Sequence, residues 1–291
     1  MVATNKNFRM AKMNKNDEHY TRLPDVANEV QYYKDYFRGK VVYCNCDKHE
    51  ESHFWHFFAT NFKELGLKRL ISTYYDKKER PKRVECLYEN GEFVGYVYTL
   101  SGNGDFRSPE CVETLKKADV VVTNPPFSLF RDFVNLMMEH NKNFLIIGSA
   151  NAVSYKDMFQ YIKDGRVWLG ETMPKEFIEP NGMIKEFHNI VWYTNIQSSG
   201  SRKLWEPSAL YDPEKYNKYD GYDIIDVPRT RNIPADYDGV MGVPITYLTK
   251  HDPEKYEILG IANHVRWIGW ECKTVVNGKN TYNRLLIRKK T

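Results

Sequence analysis

Four consecutive residues, Asn124-Pro125-Pro126-Phe127, have the chemistry to hold a planar substrate that carries an amine. The side-chain carbonyl of Asn124 and the backbone carbonyl of Pro125 are two acceptors, and the two prolines fix φ and keep the loop rigid. Acceptors placed in this way favour a pyramidal nitrogen, so they activate an amine whose lone pair is delocalised into a ring, such as that at C6 of adenine. The segment therefore predicts direct methyl transfer from a sulfonium donor to an exocyclic amine.

The aromatic residue of this segment, Phe127, offers a flat face for stacking. A base inside a duplex cannot reach such a pocket, so it would have to be flipped out and stacked on the ring. A strand-ending turn with two prolines explains the tetrapeptide alone equally well. A cytosine-C5 enzyme would need a thiolate, usually from a Pro-Cys pair, and the sequence contains no such dipeptide.

Three acidic residues follow predicted strands or precede a predicted helix, where a cofactor would bind. Asp47 follows the first strand, Asp76 ends the second, and Asp105 precedes Phe106 and a helix that begins near Ser108. An acid after the second strand suits ribose hydroxyls, and an Asp-Phe pair suits an adenine ring whose amine donates to the carboxylate. Each acid taken singly is more often a solvated turn residue or helix cap, so the prediction depends on their joint placement.

The elements that would position these residues alternate between strand and helix. Apolar β-rich runs predict strands, and apolar residues at a period near 3.6 predict helices. The strands are predicted at 40–46, 69–75, 119–124, 143–149, 166–169 and 188–195, and the helices at 26–39, 50–65, 108–118, 128–140 and 155–164. We expect an α/β fold with a doubly wound, mostly parallel, Rossmann-like methyltransferase sheet of about seven strands.

Two features depart from this alternation. Alternating runs flank Asn90-Gly91, which predicts a β-hairpin over about 84–100, inserted as a surface decoration. Beyond Gly200 the pattern weakens, and only short strands are predicted, at 224–227, 244–248 and 284–288. We therefore expect a catalytic domain over 1–200 and a small second region over 201–291.

Composition limits the class of protein without identifying it. The hydrophobic fraction of 42% excludes a disordered chain, and the net charge of +4 permits an anionic partner without demanding one. The five cysteines are odd in number and scattered, with no secretory signal and no apolar run long enough to cross a bilayer. These features predict a reduced cytoplasmic protein that has no metal site and does not associate with membranes. We further expect a monomer.

Together, several segments resemble the EcoRI-type adenine-specific DNA modification methylases. The resemblance covers nearly the whole chain and is far more specific than any single motif. The segments that carry it are 16–21 (NDEHYT), 42–47 (VYCNCD), 73–76 (TYYD), 124–127 (NPPF) and 236–246 (DYDGVMGVPIT).

The resemblance implies S-adenosylmethionine as the methyl donor and gives roles to further residues. Tyr20 and Thr21 resemble the segment that holds the methionine part of the cofactor, and Phe127 the aromatic residue that stacks on the flipped base. The usual Gly-x-Gly turn after the first strand is absent, as in the family, and Asn45-Cys46-Asp47 stands there as the candidate cofactor contact.

The C-terminal region resembles the part of such enzymes that reads DNA. Arginine pairs bidentately with guanine, while phosphate contacts position the duplex. The candidate residues are Arg229, Arg231, Arg266 and Arg284, interspersed with Trp205, Tyr237, Trp267 and Trp270. The implied partner is double-stranded DNA, with a cognate restriction endonuclease acting separately.

Two alternatives remain at this point. The same Asn-Pro-Pro-aromatic loop could grip an RNA base or a protein glutamine, although the region beyond residue 200 argues against these substrates. A DNA-binding module without catalysis would keep the cofactor pocket as a structural site, although the intact tetrapeptide argues against it. The favoured hypothesis is an adenine-specific, site-specific DNA methyltransferase.

Overall fold

The structure, a computed structural model, describes residues 20–77, 79–178, 182–198, 206–262 and 272–290. These residues form two compact units. The first contains 20–152 and 169–198, and the second contains 153–168 and the described residues from 206 onward. The segment 153–168, which was expected in the catalytic domain over 1–200, groups with the second unit.

The elements alternate along the first unit and are mostly strands in the second. The strands are β1 (Tyr20–Thr21), β2 (Val41–Cys44), β3 (Arg69–Ser72), β4 (Lys82–Glu89), β5 (Glu92–Thr99), β6 (Val120–Thr123), β7 (Asn143–Ser149), β8 (Trp168–Leu169), β9 (Glu176–Ile178), β10 (Ile184–Glu186), β11 (Ile190–Thr194), β12 (Ile224–Asp226), β13 (Val240–Val243), β14 (Tyr256–Ile261), β15 (Val275–Val276), β16 (Lys279–Asn280) and β17 (Leu285–Lys289). The α-helices are α1 (Leu23–Val30), α2 (His53–Thr60), α3 (Pro109–Lys117), α4 (Phe130–Glu139) and α5 (Lys156–Lys163). Short 3₁₀ helices lie at Gln31–Phe37, Phe127–Leu129, Ala150–Ser154, Thr230–Asn232 and Ile245–Lys250.

The large central sheet has the strand order β5-β4-β3-β2-β6-β7-β11-β8. Its four middle strands, β3, β2, β6 and β7, are parallel, whereas β4 and β11 run antiparallel to their inner neighbours. The α/β class is confirmed, but the count of about seven strands is not, because the described sheet has eight.

The difference lies in the hairpin around Asn90-Gly91. Both turn residues have positive φ, as the sequence predicted for a tight hairpin. The hairpin is not a surface decoration, however, because β4 pairs with β3 and buries Val84 and Cys86. It therefore extends the sheet.

Helices cover both faces of the central strands, which explains their continuous apolar runs. Every residue of β2 and β6 is buried. On one face Val42 and Val122 pack in a core with α1 and α2. On the other, Tyr193 contacts Phe130 at the start of α4. The sheet is thus doubly wound, and both helix layers set the position of its strand ends.

A buried carboxylate ties α1 to the segment after β8. Glu29 is 0% exposed and accepts hydrogen bonds from the backbone N–H groups of Glu171 (2.9 Å) and Thr172 (2.7 Å). The Tyr33 hydroxyl donates a further bond of 3.0 Å. This segment leads into β9, which pairs with β1 and β10 in a three-stranded sheet that the sequence did not predict.

The second unit is built on a sheet of order β12-β13-β17-β14. The strand predicted at 244–248 is wrong, because Ile245–Lys250 forms a 3₁₀ helix in which Tyr247 and Leu248 are both buried. Adjacent buried residues suit a helical turn, since a strand sends neighbouring side chains to opposite faces. Among the described residues, none of the helices has the length and apolar character that a bilayer crossing requires.

Candidate active site

The Asn124–Phe127 segment leaves the central sheet at the carboxyl end of β6. This strand lies between β2 and β7, so the loop emerges in the middle of the sheet. Asn124 is half-buried and Pro125 is buried. The Pro126 carbonyl accepts a 2.9 Å hydrogen bond from Leu129 N–H, which starts the following 3₁₀ turn. No donor to the Pro125 carbonyl is found in the described part of the chain.

The helix that follows the loop is fixed by close packing. The ring of Phe130 lies 5.1 Å from that of Tyr193, centroid to centroid. A Cβ atom at Gly148 would lie only 2.4 Å from the Phe130 ring, so a side chain there would displace the ring. Phe127, three residues earlier, is half-buried and packs against the core beside α1 and α2. Gly148 thus allows the close packing that orients the loop.

A buried carboxylate connects this loop with the turn after β2. The Thr123 hydroxyl donates a hydrogen bond to Oδ2 of Asp47, and the Ser52 hydroxyl donates one of 2.6 Å to Oδ1. The backbone of Asp47 is held as well, by Thr73 O (3.1 Å) and the Ser72 hydroxyl (2.5 Å). Both carboxylate oxygens of Asp47 are therefore engaged within the protein, although the sequence predicted a cofactor contact.

Burial sets the ionisation of this carboxylate. Asp47 is only 7% exposed, and desolvation raises its pKa to about 6, against the opposing hydrogen bonds from Ser52 and Thr123. Desolvation also raises the pKa of the neighbouring Cys46 thiol well above its usual value. Cys46 is accordingly a neutral thiol at pH 7, not a nucleophile.

Two neighbouring polar side chains, by contrast, are buried without partners. Asn45 is 1% exposed, and neither its Oδ1 nor its Nδ2 has a hydrogen-bond partner among the described residues. The Thr21 hydroxyl is likewise buried and unpartnered within the described part of the chain. Thr21 lies beside the start of α2, where its carbonyl is 2.8 Å from the His53 ring. Because buried polar groups are normally satisfied, these two fit contacts to a polar ligand.

Asp76 and Asp105 come from segments that pack closely together. The Asp76 N–H donates a 3.0 Å hydrogen bond to the Asn103 carbonyl. Gly104, with φ of +73°, leaves no room for a side chain, because a Cβ there would overlap the Tyr74 carbonyl. The two predicted cofactor acids thus lie on adjacent segments at the carboxyl edge of the sheet.

The Asp105-Phe106 pair differs from its predicted form. The Phe106 ring is 4% exposed and packs on Phe133, with ring centroids 5.1 Å apart. Arg107 forms a 2.8 Å ion pair with Asp105 and lies over the Phe106 ring. Its guanidinium holds the pKa of Asp105 below its usual range. Arg107 therefore occupies both groups that were expected to receive an adenine.

The predicted DNA-binding arginines of the second unit have different environments. Arg284 is 7% exposed and its Nε lies 3.1 Å from Asp226, which also accepts a 2.8 Å hydrogen bond from the Tyr219 hydroxyl. The burial of Arg284 and its pairing with Asp226 differ from the exposed arginine that the DNA-binding prediction expects, and they favour a role in stabilising the sheet. Arg229 and Arg231 are exposed, and neither has an ion-pair partner among the described residues.

The remaining predicted residues of that region are only partly covered by the structure. Arg266 lies outside the described residues, as do Trp205, Trp267 and Trp270. Tyr237 is half-buried and packs 4.5 Å from Tyr211, centroid to centroid. Among the described residues, no group of His, Cys, Asp and Glu side chains is placed to hold a metal ion.

Three residues of the site were not predicted from the sequence: Ser52, Arg107 and Thr123. Ser52 also caps α2 by accepting from Phe54 N–H (3.1 Å) and Trp55 N–H (3.3 Å). Its position before an apolar helical run was a usable signal for the cap. Nothing local in the sequence signalled that Ser52 and Thr123 share one carboxylate.

Comparison with known proteins shows which family the chain belongs to. The family described as "Adenine-specific methyltransferase EcoRI" matches residues 7–290. The chain is 40% identical to "Type II methyltransferase M.EcoRI" of Escherichia coli, over 99% of this chain and 98% of that protein. It is 36% identical to "Type II methyltransferase M.MgeORF184P" of Mycoplasma genitalium and 35% identical to "Type II methyltransferase M.MpnI" of Mycoplasma pneumoniae, each over 97% of this chain and 98% of the relative. No solved structure gives a significant match.

Proposed function

The chain belongs to the EcoRI family of adenine-specific methyltransferases, and from this premise we propose that it transfers a methyl group from S-adenosylmethionine to N6 of an adenine in a specific sequence of duplex DNA. As a member of that family it is a site-specific DNA methyltransferase. The alternatives, an RNA base or a protein glutamine as substrate, are not favoured. The observation that carries the proposal is the position of Asn124 and Pro125 at the end of the central strand β6.

The target amine is held by two acceptors. The Asn124 side-chain carbonyl and the Pro125 carbonyl accept its two N–H groups and stabilise the positive charge that develops on nitrogen. A flipped adenine stacks on Phe127, which the core supports from behind. When bound, S-adenosylmethionine supplies an electrophilic methyl group on sulfur. The amine held by Asn124 and Pro125 would accept this methyl group, the cofactor would leave as S-adenosylhomocysteine, and the methylated amine would release a proton to solvent.

The cofactor contacts are distributed over three strand ends. The unpartnered Thr21 hydroxyl and Asn45 amide would hold the methionine part together with the segment at Tyr20 and Cys46, and Asp76 would accept from the ribose hydroxyls. Asp105 and Phe106 would receive the adenine ring. Asp47 is better suited to positioning, because its carboxylate is already shared by Ser52 and Thr123.

The second unit is the proposed recognition region. Its exposed Arg229 and Arg231 are available for phosphates or base edges, and Arg266 is kept as a candidate. We propose that the chain acts as a monomer in the cytoplasm and that a cognate restriction endonuclease, where one exists, acts separately. Type II methyltransferase is the name that three relatives carry.

The test is methylation of duplex DNA by the purified full-length chain with S-adenosylmethionine, followed by digestion and mass spectrometry of the nucleosides. We expect N6-methyladenine, and we expect Asn124→Ala to abolish it while cofactor binding persists. Asn28→Ala, an exposed asparagine of α1, is the matched control and should be fully active. Normal turnover by Asn124→Ala, or label only in RNA or protein, would overturn the proposal.

A further inference from the structure

Arg107 covers the two groups that the proposed function assigns to the adenine of the cofactor. Its Nε donates a 2.9 Å hydrogen bond to Oδ1 of Asp105, and its Nη2 donates one of 2.8 Å to Oδ2. The same guanidinium carbon lies 5.1 Å from the centroid of the Phe106 ring. One side chain thus makes both the polar and the stacking contact of this subsite.

The contacts of Arg107 are of the same kind as those of an adenine. Guanidinium is planar, donates N–H groups in its own plane and stacks on aromatic faces. An adenine presents a planar face and an exocyclic amine that donates to a carboxylate. Two planar groups cannot occupy the same face of Phe106 and the same edge of Asp105, so ligand and side chain exclude each other there.

The Arg107 side chain can move away from Asp105, and a second carboxylate lies within its reach. Its side chain is 45% exposed, so its movement is not blocked by packing. Its Nη1 already lies 3.4 Å from Oδ2 of Asp132 on α4. Rotation away from Asp105 therefore exchanges one ion pair for another, and Asp132 holds the displaced guanidinium beside the helix that follows the Asn124–Phe127 loop.

We infer that Arg107 occupies the adenine subsite and is displaced when the cofactor binds. Its presence lowers the affinity for the adenosyl part of the cofactor. An entering ring must also replace the lost hydrogen bonds by donating to Asp105 itself. The inference rests on the proposed assignment of Asp105 and Phe106 to the adenine. It makes Arg107 a residue that determines cofactor affinity without contacting the methyl group or the target base.

The first experiment measures S-adenosylhomocysteine binding to the full-length chain by calorimetry. We expect Arg107→Ala to lower Kd by about three- to tenfold, since an exposed ion pair and a cation–π contact no longer compete. Arg107→Lys keeps the charge but loses the planar guanidinium, so its Kd should lie between those of the wild type and Arg107→Ala. The control is Lys116→Ala, which removes an ion-paired cation of similar exposure from α3 and should leave Kd unchanged.

Added salt and a second residue sharpen the test. Because salt screens the Arg107–Asp105 pair, the advantage of Arg107→Ala should shrink between low and high ionic strength. Asp132→Asn removes the carboxylate that receives the displaced Arg107, so it should raise Kd when Arg107 is present. In the Arg107→Ala background it should have no effect on Kd. A double-mutant cycle measures this coupling.

The outcomes separate this inference from the proposed function. A wild-type chain that binds no adenosyl ligand would overturn the cofactor assignment itself. The wild type could instead bind the ligand while Arg107→Ala, shown to be folded by circular dichroism, has an unchanged or raised Kd. That result would overturn only the role of Arg107. A lowered Kd in Arg107→Ala that Lys116→Ala does not reproduce would support it.

Discussion

The hydroxyl of Thr123, the last residue of β6, donates a hydrogen bond to the carboxylate of Asp47 in the turn after β2. Ser52, the cap of α2, donates to the other oxygen. The loop proposed to hold the target base, the turn proposed to hold the cofactor and the first turn of α2 are thus joined through one buried side chain. We expect this connection to set the distance between methyl donor and acceptor.

Thr123→Val should therefore lower turnover more than it weakens substrate binding. Valine has nearly the same shape, but the buried carboxylate loses a donor, at a cost of about 1–3 kcal/mol in the free energy of unfolding. We expect kcat to fall while KM for DNA changes little, because the loop loses its orientation toward the cofactor. Thr99→Val, at an exposed position on β5, is the control. Equal kcat values for the two variants would contradict the positioning role of the bond.

The pKa of Asp47 predicts how stability depends on pH. Its folded pKa of about 6 lies above the usual aspartate value of 3.8, so the folded state holds this proton more tightly than the unfolded chain does. The contribution of this proton to the free energy of unfolding is fully present below the unfolded pKa and is lost as pH rises through about 6. As pH rises through about 6, the wild type should therefore lose unfolding free energy relative to Asp47→Asn. Urea titrations at several pH values measure this difference. A constant difference would exclude a raised pKa.

Gly148→Ala should disturb the active-site loop from a distance. The added Cβ would lie 2.4 Å from the Phe130 ring, which must then shift at the start of α4. We expect a loss of about 1–3 kcal/mol in unfolding free energy and a fall in turnover of about tenfold to hundredfold. In Gly95→Ala the new Cβ would make only an ordinary 3.8 Å contact with Cys86, and both properties should be retained. Stability loss with full turnover would show that the packing does not orient the loop.

The two environments of the second unit's arginines predict opposite phenotypes. Replacing Arg229 and Arg231 by alanine should weaken binding to duplex DNA and reduce its salt dependence, without changing the melting temperature. Arg284→Ala should instead lower the unfolding free energy by about 3–5 kcal/mol, because it leaves the Asp226 carboxylate without its ion-pair partner. Fluorescence anisotropy with labelled DNA and thermal melts separate these effects. A salt-dependent DNA defect in a fully stable Arg284→Ala would reverse our assignment.

Much of the fold was predictable because its signals are local. The strand at 143–149 was predicted with its observed bounds, and Asn90-Gly91 correctly marked the hairpin turn. The pairing of that hairpin with β3 was not predictable, because it depends on contacts with a strand distant along the chain. The wrong strand at 244–248 has a related cause, since a short apolar run does not distinguish a buried turn from a strand.

The sequence by itself determined the class of fold, the family and the segment Asn124–Phe127, because these follow from periodicity and from residue types that are contiguous. The tertiary structure decided what the polar side chains do. Asp47, a predicted ligand contact, joins two strand ends, and Arg107, which no pattern marked, lies on Asp105 and Phe106. The physical reason is that burial and hydrogen bonding depend on which residues the parallel strands bring together, and Asp47 and Thr123 meet across 76 positions only because β2 pairs with β6.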